Sequence, residues 1–247
     1  MNNTIQQMAK IIQNSKKLVF FGGAGVSTES GIPDFRSATG IYQKDTGTHY
    51  SPEQIISASF FRAYPEIFFK FHFEHLVYPE AEPNEAHKLL ADIEAGGKDV
   101  TVVTQNIDRL HQKAGSQRVI ELHGAVDENY CVDCQAFYTY SDLSLDEKGI
   151  PRCTKCHGIV RPDIVLYEEP LKESAIHATI KSISEADVLI VGGTSLSVYP
   201  AASFLNYFKG SHLLVINKTP LNISQNNVLA IDGNIGEVFK EIHSLYN

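Results

Sequence analysis

Residues 17–28 read KLVFFGGAGVST, an uninterrupted apolar run that ends in a glycine-rich turn. A short, continuous apolar run, here residues 17–22, predicts a strand that is buried on both faces of its sheet. Glycines at a strand-to-helix turn let the backbone approach a pyrophosphate, which the helix N-terminus then binds. The stretch therefore predicts the first strand of an α/β fold, followed by a turn that binds a nucleotide. A tight turn without a ligand is the alternative, because Thr28 stands where the dinucleotide fingerprint has its third glycine.

Similar apolar runs recur along the chain, and amphipathic segments lie between them. The runs predict further strands at 99–104, 119–122, 187–191, 212–216 and 228–231. The amphipathic segments predict helices at 4–14, 84–94, 171–184 and 200–208. This alternation predicts an α/β fold with a Rossmann-like, doubly wound parallel sheet. We expect a single catalytic domain over residues 1–247, with a small, aromatic-rich helical insertion at 31–79 and a second insertion at 130–160.

The second insertion contains every cysteine of the chain. They form two C-x₂-C pairs: Cys131, Cys134, Cys153 and Cys156. Two such pairs predict a closed, tetrahedral Cys₄ zinc ribbon, in which the metal holds the fold together and keeps no open position for water. Two disulfides or four unrelated buried thiols are the alternatives. The absence of a recognisable secretory signal favours reduced cysteines, and with them a cytoplasmic protein.

Composition narrows the class of partners. The net charge of −8 disfavours direct binding to nucleic acid, because phosphate contacts need basic surface. No apolar stretch approaches the length of a membrane span, so no membrane contact is expected. The acidic surface suits basic partners, although acidity of this size also serves solubility alone.

Polar residues follow several of the predicted strands. They stand in the segments 31–36, 104–108, 121–124, 192–195 and 217–218. Because ligands bind beyond the carboxyl ends of parallel strands, these segments together favour a dinucleotide site. A histidine at such an end, His123, is suited to act as a general base near neutral pH. Taken singly, each residue has a structural alternative: His123 as a core histidine, Asn106 as a helix N-cap and Asp34 as a turn residue.

The motifs and their order resemble those of the sirtuins, which are NAD-dependent protein deacylases, over nearly the whole chain. The matching segments are 23–27, 31–36, 104–108, 123–124, the four cysteines, 161–169 and 193–195. The resemblance implies a deacetylase that transfers the acyl group of an acetyl-lysine protein or peptide to ADP-ribose and releases nicotinamide. NAD and zinc are the implied cofactors.

The resemblance also implies which residues bind NAD. They are Gly23, Ala24, Gly25, Thr28, Asp34, Phe35, Arg36, Gln105, Asn106, Ile107, Asp108, His123, Gly193, Thr194, Ser195, Asn217 and Ile235. Phe35 is expected to shield the ribose carbon, and Asp108 to accept a hydrogen bond from the nicotinamide amide. Gln105 and Asn106 are expected to hold the ribose and an ordered water.

The catalytic residues implied by the resemblance are His123 and Asn106. In this family the acyl-lysine oxygen attacks the nicotinamide ribose, and a histidine base then deprotonates a ribose hydroxyl. The substrate peptide is expected to add as a strand between two segments. One side is Ile164, Val165, Leu166 and Tyr167, and the other includes Ser197 and Val198. An ordinary core strand is the alternative for the segment 164–167.

The preferred acyl group is a separate question. Sirtuins that prefer succinyl or malonyl lysine carry Tyr-x-x-Arg in the helical insertion, and an ungapped match here gives His72-x-x-His75. Because this stretch has no arginine and Glu74 is expected to repel a carboxylate, a neutral acyl chain is predicted. The alternative functions are a longer-chain deacylase, a mono-ADP-ribosyltransferase on the same fold, and an NAD-binding module without turnover.

Overall fold

The chain divides into two units, each assembled from segments that are separate in the sequence. The computed structural model describes residues 2–197, 200–221, 223 and 227–246. The sheet unit comprises Met1–Pro33, Ala81–Leu122 and Lys172–Asn247, and the ribbon unit comprises Asp34–Glu80 and His123–Leu171. The strands are β1 (Lys17–Gly22), β2 (Asp99–Thr104), β3 (Val119–Glu121), β4 (Gly124–Cys131), β5 (Phe137–Thr139), β6 (Val160–Ile164), β7 (Val188–Gly192), β8 (His212–Asn217) and β9 (Val228–Asp232). The α-helices are α1 (Asn2–Asn14), α2 (Pro52–Ile55), α3 (Ala58–Ala63), α4 (Pro65–His75), α5 (Glu85–Ala95), α6 (Leu110–Ala114), α7 (Glu173–Glu185) and α8 (Ile235–Tyr246).

The sheet unit is built on a six-stranded parallel sheet with the strand order β3-β2-β1-β7-β8-β9. The chain starts in the middle with β1, builds outward through β2 and β3, and then builds the other half from β7. The register aligns the strand ends, because Gly22 pairs with Thr104 on one side and with Gly192 on the other. Ligands of open α/β sheets bind where the winding direction switches. The glycine-rich turn after β1 therefore stands at the expected ligand position.

The burial of apolar side chains explains why these segments form strands and helices. β1 and β2 are buried along all but their first residue, and the apolar stripes of α1, α5 and α8 pack into the same core. The ring of Phe20 lies 5.9 Å from that of Phe239. The predicted doubly wound parallel sheet is confirmed. The predicted helix at 200–208 is instead a 3₁₀ helix, Ala201–Tyr207.

The ribbon unit pairs a small antiparallel sheet, in the order β5-β4-β6, with the short helices α2, α3 and α4. Two of the helices begin at serine caps, α2 at Ser51 and α3 at Ser57. Ser51 and Gln54 form a capping box at α2, with Pro52 in its first turn. The apolar residues of the three helices, among them Ile55, Phe60 and Phe71, form a buried core of their own. Three short α-helices therefore lie within the segment 31–79, and aromatic residues line their core.

Helix length bears on the membrane question. In the part of the chain that the structure describes, no helix combines the length and the apolarity that crossing a membrane takes.

Three buried histidines make the stability of the fold sensitive to acid. His72, His87 and His111 are at most 1% exposed. Burial lowers the pKa of His72 and that of His87 to about 3, and the pKa of His111 falls well below its usual value. The unfolded chain takes up protons at these residues below about pH 6.5. In the native state His72 and His87 stay neutral until near pH 3, and His111 stays neutral well below pH 6.5. Stability is therefore full above pH 6.5 and is lost as the pH falls from there toward 3.

We expect the free energy of unfolding to fall by about 1.4 kcal/mol for each of these histidines between pH 7.5 and 5.5, or about 4 kcal/mol together. Urea titrations at the two pH values measure the loss. His72→Phe, which keeps the ring volume among Phe68 and Phe69, should reduce the loss by about a third. The exposed His177 supplies the control, and His177→Gln should match the wild type. An unchanged loss in His72→Phe would contradict the assignment.

Candidate active site

At the centre of the sheet, the turn after β1 and the turn after β7 pack backbone against backbone. The amide of Gly25 donates to the carbonyl of Gly193 at 2.8 Å. Gly193 has φ of 58°, and a Cβ there would lie 2.4 Å from the amide nitrogen of Val26. A Cβ on Gly25 would in turn lie 2.9 Å from the Gly193 backbone. The glycines of both motifs are therefore required for this close approach, and the structure brings Gly23, Ala24 and Gly25 next to Gly193 and Thr194.

The segment after the first turn differs from the prediction. Instead of an α-helix it forms two 3₁₀ turns, Ala24–Val26 and Thr28–Ser30. The hydroxyl of Thr28 donates to the carbonyl of Gly25 at 3.0 Å, which tightens the turn. Asn84 supports it from α5, since its Nδ2 donates to the carbonyl of Val26 at 2.8 Å and to the hydroxyl of Ser30 at 3.0 Å. Asn84 also caps α5. Sequence reasoning missed Asn84, whose signal was its position before an amphipathic helix.

Three predicted cofactor residues form a hydrogen-bonded row along the carboxyl edge of the sheet. Nε2 of Gln105 donates to the hydroxyl of Thr194 at 3.1 Å, and the amide of Thr194 donates to Oδ1 of Asn217 at 3.0 Å. The neighbouring Ser195 is exposed. Ile235, the first residue of α8, is buried, and a Cβ on Gly192 would meet its Cδ1. The structure thus gathers the predicted residues of β1, β2, β7, β8 and α8 in one unit.

A second network lies beyond β1 and β2. Nδ2 of Asn106 donates to the hydroxyl of Ser27 at 3.0 Å, and that hydroxyl donates to Oδ2 of Asp108 at 2.6 Å. Burial raises the pKa of Asp108, and the hydrogen bond from Ser27 opposes the shift. The amide of Leu110 donates to the other carboxylate oxygen at 2.9 Å. Asp108 is thus oriented as a partly buried hydrogen-bond acceptor directly before α6.

This network decides between two readings of Asn106. Its side chain is used in the network, and the residue at the N-cap of α6 is Arg109, so the helix-cap alternative for Asn106 is wrong. Ile107 lies between the two network residues and is partly exposed. Ser27 was quoted in the glycine motif but not predicted as a site residue. Its signal was a hydroxyl placed directly after the turn.

In the ribbon unit, the predicted cofactor residues Asp34, Phe35 and Arg36 form a tight turn. Oδ1 of Asp34 accepts hydrogen bonds from the amides of Arg36 and Ser37, at 3.0 and 2.8 Å. The turn reading of Asp34 is therefore confirmed, and a turn does not exclude ligand contact. Gly40 closes the loop, because a Cβ there would lie 2.7 Å from the carbonyl carbon of Phe35.

His123 stands at the first position of the ribbon unit, directly before β4. Its carbonyl accepts from the amide of Val165 at 2.9 Å, and the next residue, Gly124, pairs with Ile164. Gly124 has φ of 73°, and a Cβ there would collide with the carbonyl of Asp163 at 1.7 Å. The imidazole is half-buried. The backbone of His123 is therefore held beside the predicted substrate segment, and a fully buried core histidine is excluded.

The predicted substrate segment leaves the sheet where β6 ends at Ile164. Its shape is held by a bidentate ion pair in which Arg161 donates to the Glu169 carboxylate at 2.6 and 3.0 Å. The same carboxylate accepts from the amide of Leu166 at 2.9 Å. Tyr167 is 39% exposed. The core-strand alternative is therefore wrong beyond Ile164.

The other predicted side of the substrate cleft is only partly described. Ser197 is exposed, and its hydroxyl is hydrogen-bonded to that of Ser195 at 2.5 Å. Val198 lies outside the described residues.

The four cysteines gather as the spacing predicted. Their sulfurs lie within 4.8 Å of one another, and a tetrahedron of thiolates at the Zn–S distance of about 2.3 Å has edges of about 3.8 Å. Cys131 and Cys156 are 3.4 Å apart, and Cys134 and Cys153 are 3.5 Å apart, so these pairs are not disulfides. The hydroxyl of Tyr138 donates to the sulfur of Cys153 at 3.1 Å. The donor set fits a structural zinc ion.

The acyl prediction needs one correction. Glu74 is exposed on α4 and therefore gives no repulsion inside the helical insertion. His72 is the inward-facing member of the pair, stacked on Phe68 at 5.8 Å between ring centroids. The ungapped alignment could not distinguish inward from outward positions, because aromatic residues occupy nearly every face of this helix.

Known proteins resemble this chain along nearly its whole length. The family model described as the Sir2 family matches residues 23–200. An NAD-dependent protein deacetylase of Clostridium perfringens (strain 13 / Type A) is 53% identical over 98% of this chain and 99% of its own length. Another, of Clostridium acetobutylicum, is 50% identical over 96% of this chain and 97% of its own length. A solved structure of Sir2 with a p53 peptide and NAD⁺ has a TM-score of 0.85 at 36% identity, covering 98% of both chains.

The match extends beyond the sheet. The relatives align along nearly the whole chain, including the cysteine ribbon and the helical insertion, and the solved structure shares the fold over the same length. The chain therefore belongs to the Sir2 family.

Proposed function

We propose that this protein is an NAD-dependent protein-lysine deacetylase that transfers the acetyl group of acetyl-lysine to ADP-ribose. The observation that carries the proposal is the Ser27–Asn106–Asp108 network beyond β1 and β2, in a chain that is 53% identical to an NAD-dependent protein deacetylase. A partly buried carboxylate that a hydroxyl and a helix amide hold in place is suited to accept a hydrogen bond from a carboxamide. NAD supplies an electrophilic ribose carbon and nicotinamide as the leaving group.

The residues of the sheet unit bind the different parts of NAD. Asp108 and Ile107 hold the nicotinamide amide, and Asn106 with Gln105 holds the ribose and an ordered water. Thr194, Ser195 and Asn217 contact phosphate and the adenosine ribose, with Ile235 near the adenine. The glycine turn, rather than an α-helix N-terminus, faces the pyrophosphate, and the amide of Ala24 is the donor that it offers. The amides of Gly23, Gly25, Val26 and Ser27 donate to protein carbonyls.

The ribbon unit supplies the base and the peptide segment. His123 removes a proton from a ribose hydroxyl, and Phe35 keeps water and free nicotinamide away from the ribose carbon. The acetylated peptide adds as a strand along the segment 164–167. Zinc bound by the four cysteines maintains the ribbon and takes no part in the chemistry, because four thiolates leave no coordination position for water. A cytoplasmic location follows from thiols that must stay reduced to hold zinc.

One assay tests the function. The protein is incubated with NAD and an acetyl-lysine peptide, and nicotinamide, deacetylated peptide and acetyl-ADP-ribose are measured together. Equal amounts of the three products support the deacetylase. ADP-ribose attached to protein would instead identify a mono-ADP-ribosyltransferase, and NAD binding without any product would identify a binding module.

We expect kcat/KM for acetyl-lysine to exceed that for succinyl-lysine on the same peptide by ~10²-fold or more. The inward-facing His72 is neutral because burial lowers its pKa to about 3, and the nearby cations Arg62 and Lys70 are exposed. A succinyl carboxylate buried without a cation loses several kcal/mol of solvation, and ~2.7 kcal/mol already corresponds to 10²-fold.

The comparison uses peptides that differ only in the acyl group, at saturating NAD. A propionyl peptide, which is neutral but longer than acetyl, is the control for size and should be used at a rate closer to the acetyl peptide. Desuccinylation as fast as deacetylation would overturn the prediction and direct attention to Arg62 and Lys70.

A further inference from the structure

A pair of tyrosine hydroxyls links two segments to which the proposed function gives different ligands. Tyr42 belongs to the loop that carries the predicted cofactor residues Asp34, Phe35 and Arg36, and Tyr167 ends the predicted substrate segment. Their hydroxyls are hydrogen-bonded to each other. Both residues lie in the ribbon unit.

Tyr42 contacts two of the predicted cofactor residues of its loop, Phe35 and Arg36. Its amide donates to the carbonyl of Phe35 at 2.9 Å, and the two rings meet edge to face with their centroids 5.5 Å apart. The guanidinium carbon of Arg36 lies 5.5 Å from the centroid of the same ring. A displacement of Tyr42 therefore displaces both of these predicted cofactor contacts.

Tyr167 is fixed on its other sides by the backbone. Its amide donates to the carbonyl of Ile56 at 3.1 Å, and its carbonyl accepts from the amide of Ala58 at 3.0 Å. The following residue, Glu168, has φ of 75° and is held by two hydrogen bonds from Ser59, each 2.8 Å long. Tyr167 is 39% exposed. Its hydroxyl therefore extends from a backbone that these hydrogen bonds hold in place.

We propose that the Tyr42–Tyr167 hydroxyl pair is a positioning contact through which the peptide bound along 164–167 orders the cofactor loop. The inference rests on the proposed function, since that function assigns the peptide to one segment and the nucleotide to the other. Because the backbone of Tyr167 is already fixed, a peptide strand along 164–167 restrains the exposed hydroxyl end of this side chain. It thereby restrains Tyr42, and with it Phe35 and Arg36. Because coupling between two binding sites is reciprocal, the nucleotide must strengthen peptide binding by the same factor.

The test is a double-mutant cycle on binding. ADP-ribose is titrated calorimetrically with and without saturating acetyl-lysine peptide, in the wild type, Tyr42→Phe, Tyr167→Phe and the double variant. We expect the peptide to tighten ADP-ribose binding at least about five-fold in the wild type, the factor that one hydrogen bond of ordinary strength provides. Either single variant should lower this coupling to less than about two-fold, and the double variant should lower it no further.

Tyr140→Phe is the matched control, because Tyr140 is also a partly exposed tyrosine of the ribbon unit and lies outside both segments. It should keep the wild-type coupling. A purely structural role for the two hydroxyls would weaken each ligand alone and leave the coupling factor unchanged, and this result would overturn the inference. So would the absence of coupling in the wild type, or losses in the two single variants that add in the double variant.

The nicotinamide-release assay on the wild type separates this inference from the function on which it rests. Without nicotinamide release from NAD and acetyl-lysine peptide, the proposed function fails. With release intact and the coupling unaffected by Tyr42→Phe and Tyr167→Phe, only the inference fails.

Discussion

Replacing His123 by alanine is expected to lower kcat for deacetylation by at least ~10²-fold, the usual scale for the loss of a general base. The fold should persist, because the backbone of this position keeps its own hydrogen bonds when the imidazole is removed. The carbonyl of His123 binds the amide of Val165, and Gly124 pairs with Ile164. Steady-state rates of deacetylated peptide formation measure the effect, and circular dichroism verifies the fold.

A second readout tests the step at which His123 acts. If the base acts after nicotinamide has left, exchange of labelled nicotinamide into NAD should fall much less than deacetylation in His123→Ala. The control is His177→Ala, which removes an exposed histidine of α7 and should leave both rates within a few-fold of the wild type. Deacetylation by His123→Ala within a few-fold of the wild type would remove this residue from the mechanism.

Loss of the zinc ion is expected to unfold the ribbon. The apparent binding free energy of structural zinc sites is about 10–16 kcal/mol, which equals or exceeds the whole stability of a typical domain, about 5–15 kcal/mol. Cys153→Ser removes a buried ligand that also accepts the Tyr138 hydrogen bond. We expect the variant to contain less than one zinc per chain and to be cleaved rapidly by protease within 130–160.

The control is Lys155→Ala, which changes an exposed residue of the same turn and should keep one zinc per chain. Exchange of zinc for Cd²⁺, which thiolates also bind tetrahedrally, should preserve the fold and keep the activity within a few-fold, because the metal has a structural role. Metal-free protein purified under reducing conditions with its ribbon resistant to protease would show the zinc assignment to be wrong.

Several features of this protein could be predicted from the sequence because they depend on neighbouring residues. The predicted β1 and β2 match the structure at both ends, since continuous apolar runs mark strands that both faces of a sheet bury. The cysteine quartet was predicted from spacing alone, because C-x₂-C fixes the separation of two thiolates. The order of the polar segments along the chain identified the family.

Other features were decided only by the tertiary structure, because they join residues that are distant in sequence. No local pattern predicts which partner Ser27, Asn84 or Tyr42 contacts. Only the fold brings Ser27 to Asp108, Asn84 to the cofactor turn and Tyr42 to Tyr167. The sequence also could not show that His72 is buried and neutral. Aromatic residues stand on several faces of its helix, so the pattern does not mark which face is inside. Periodicity reports whether a segment has an apolar face, whereas the partner of a polar group and the pKa of a buried one depend on what the fold packs around them.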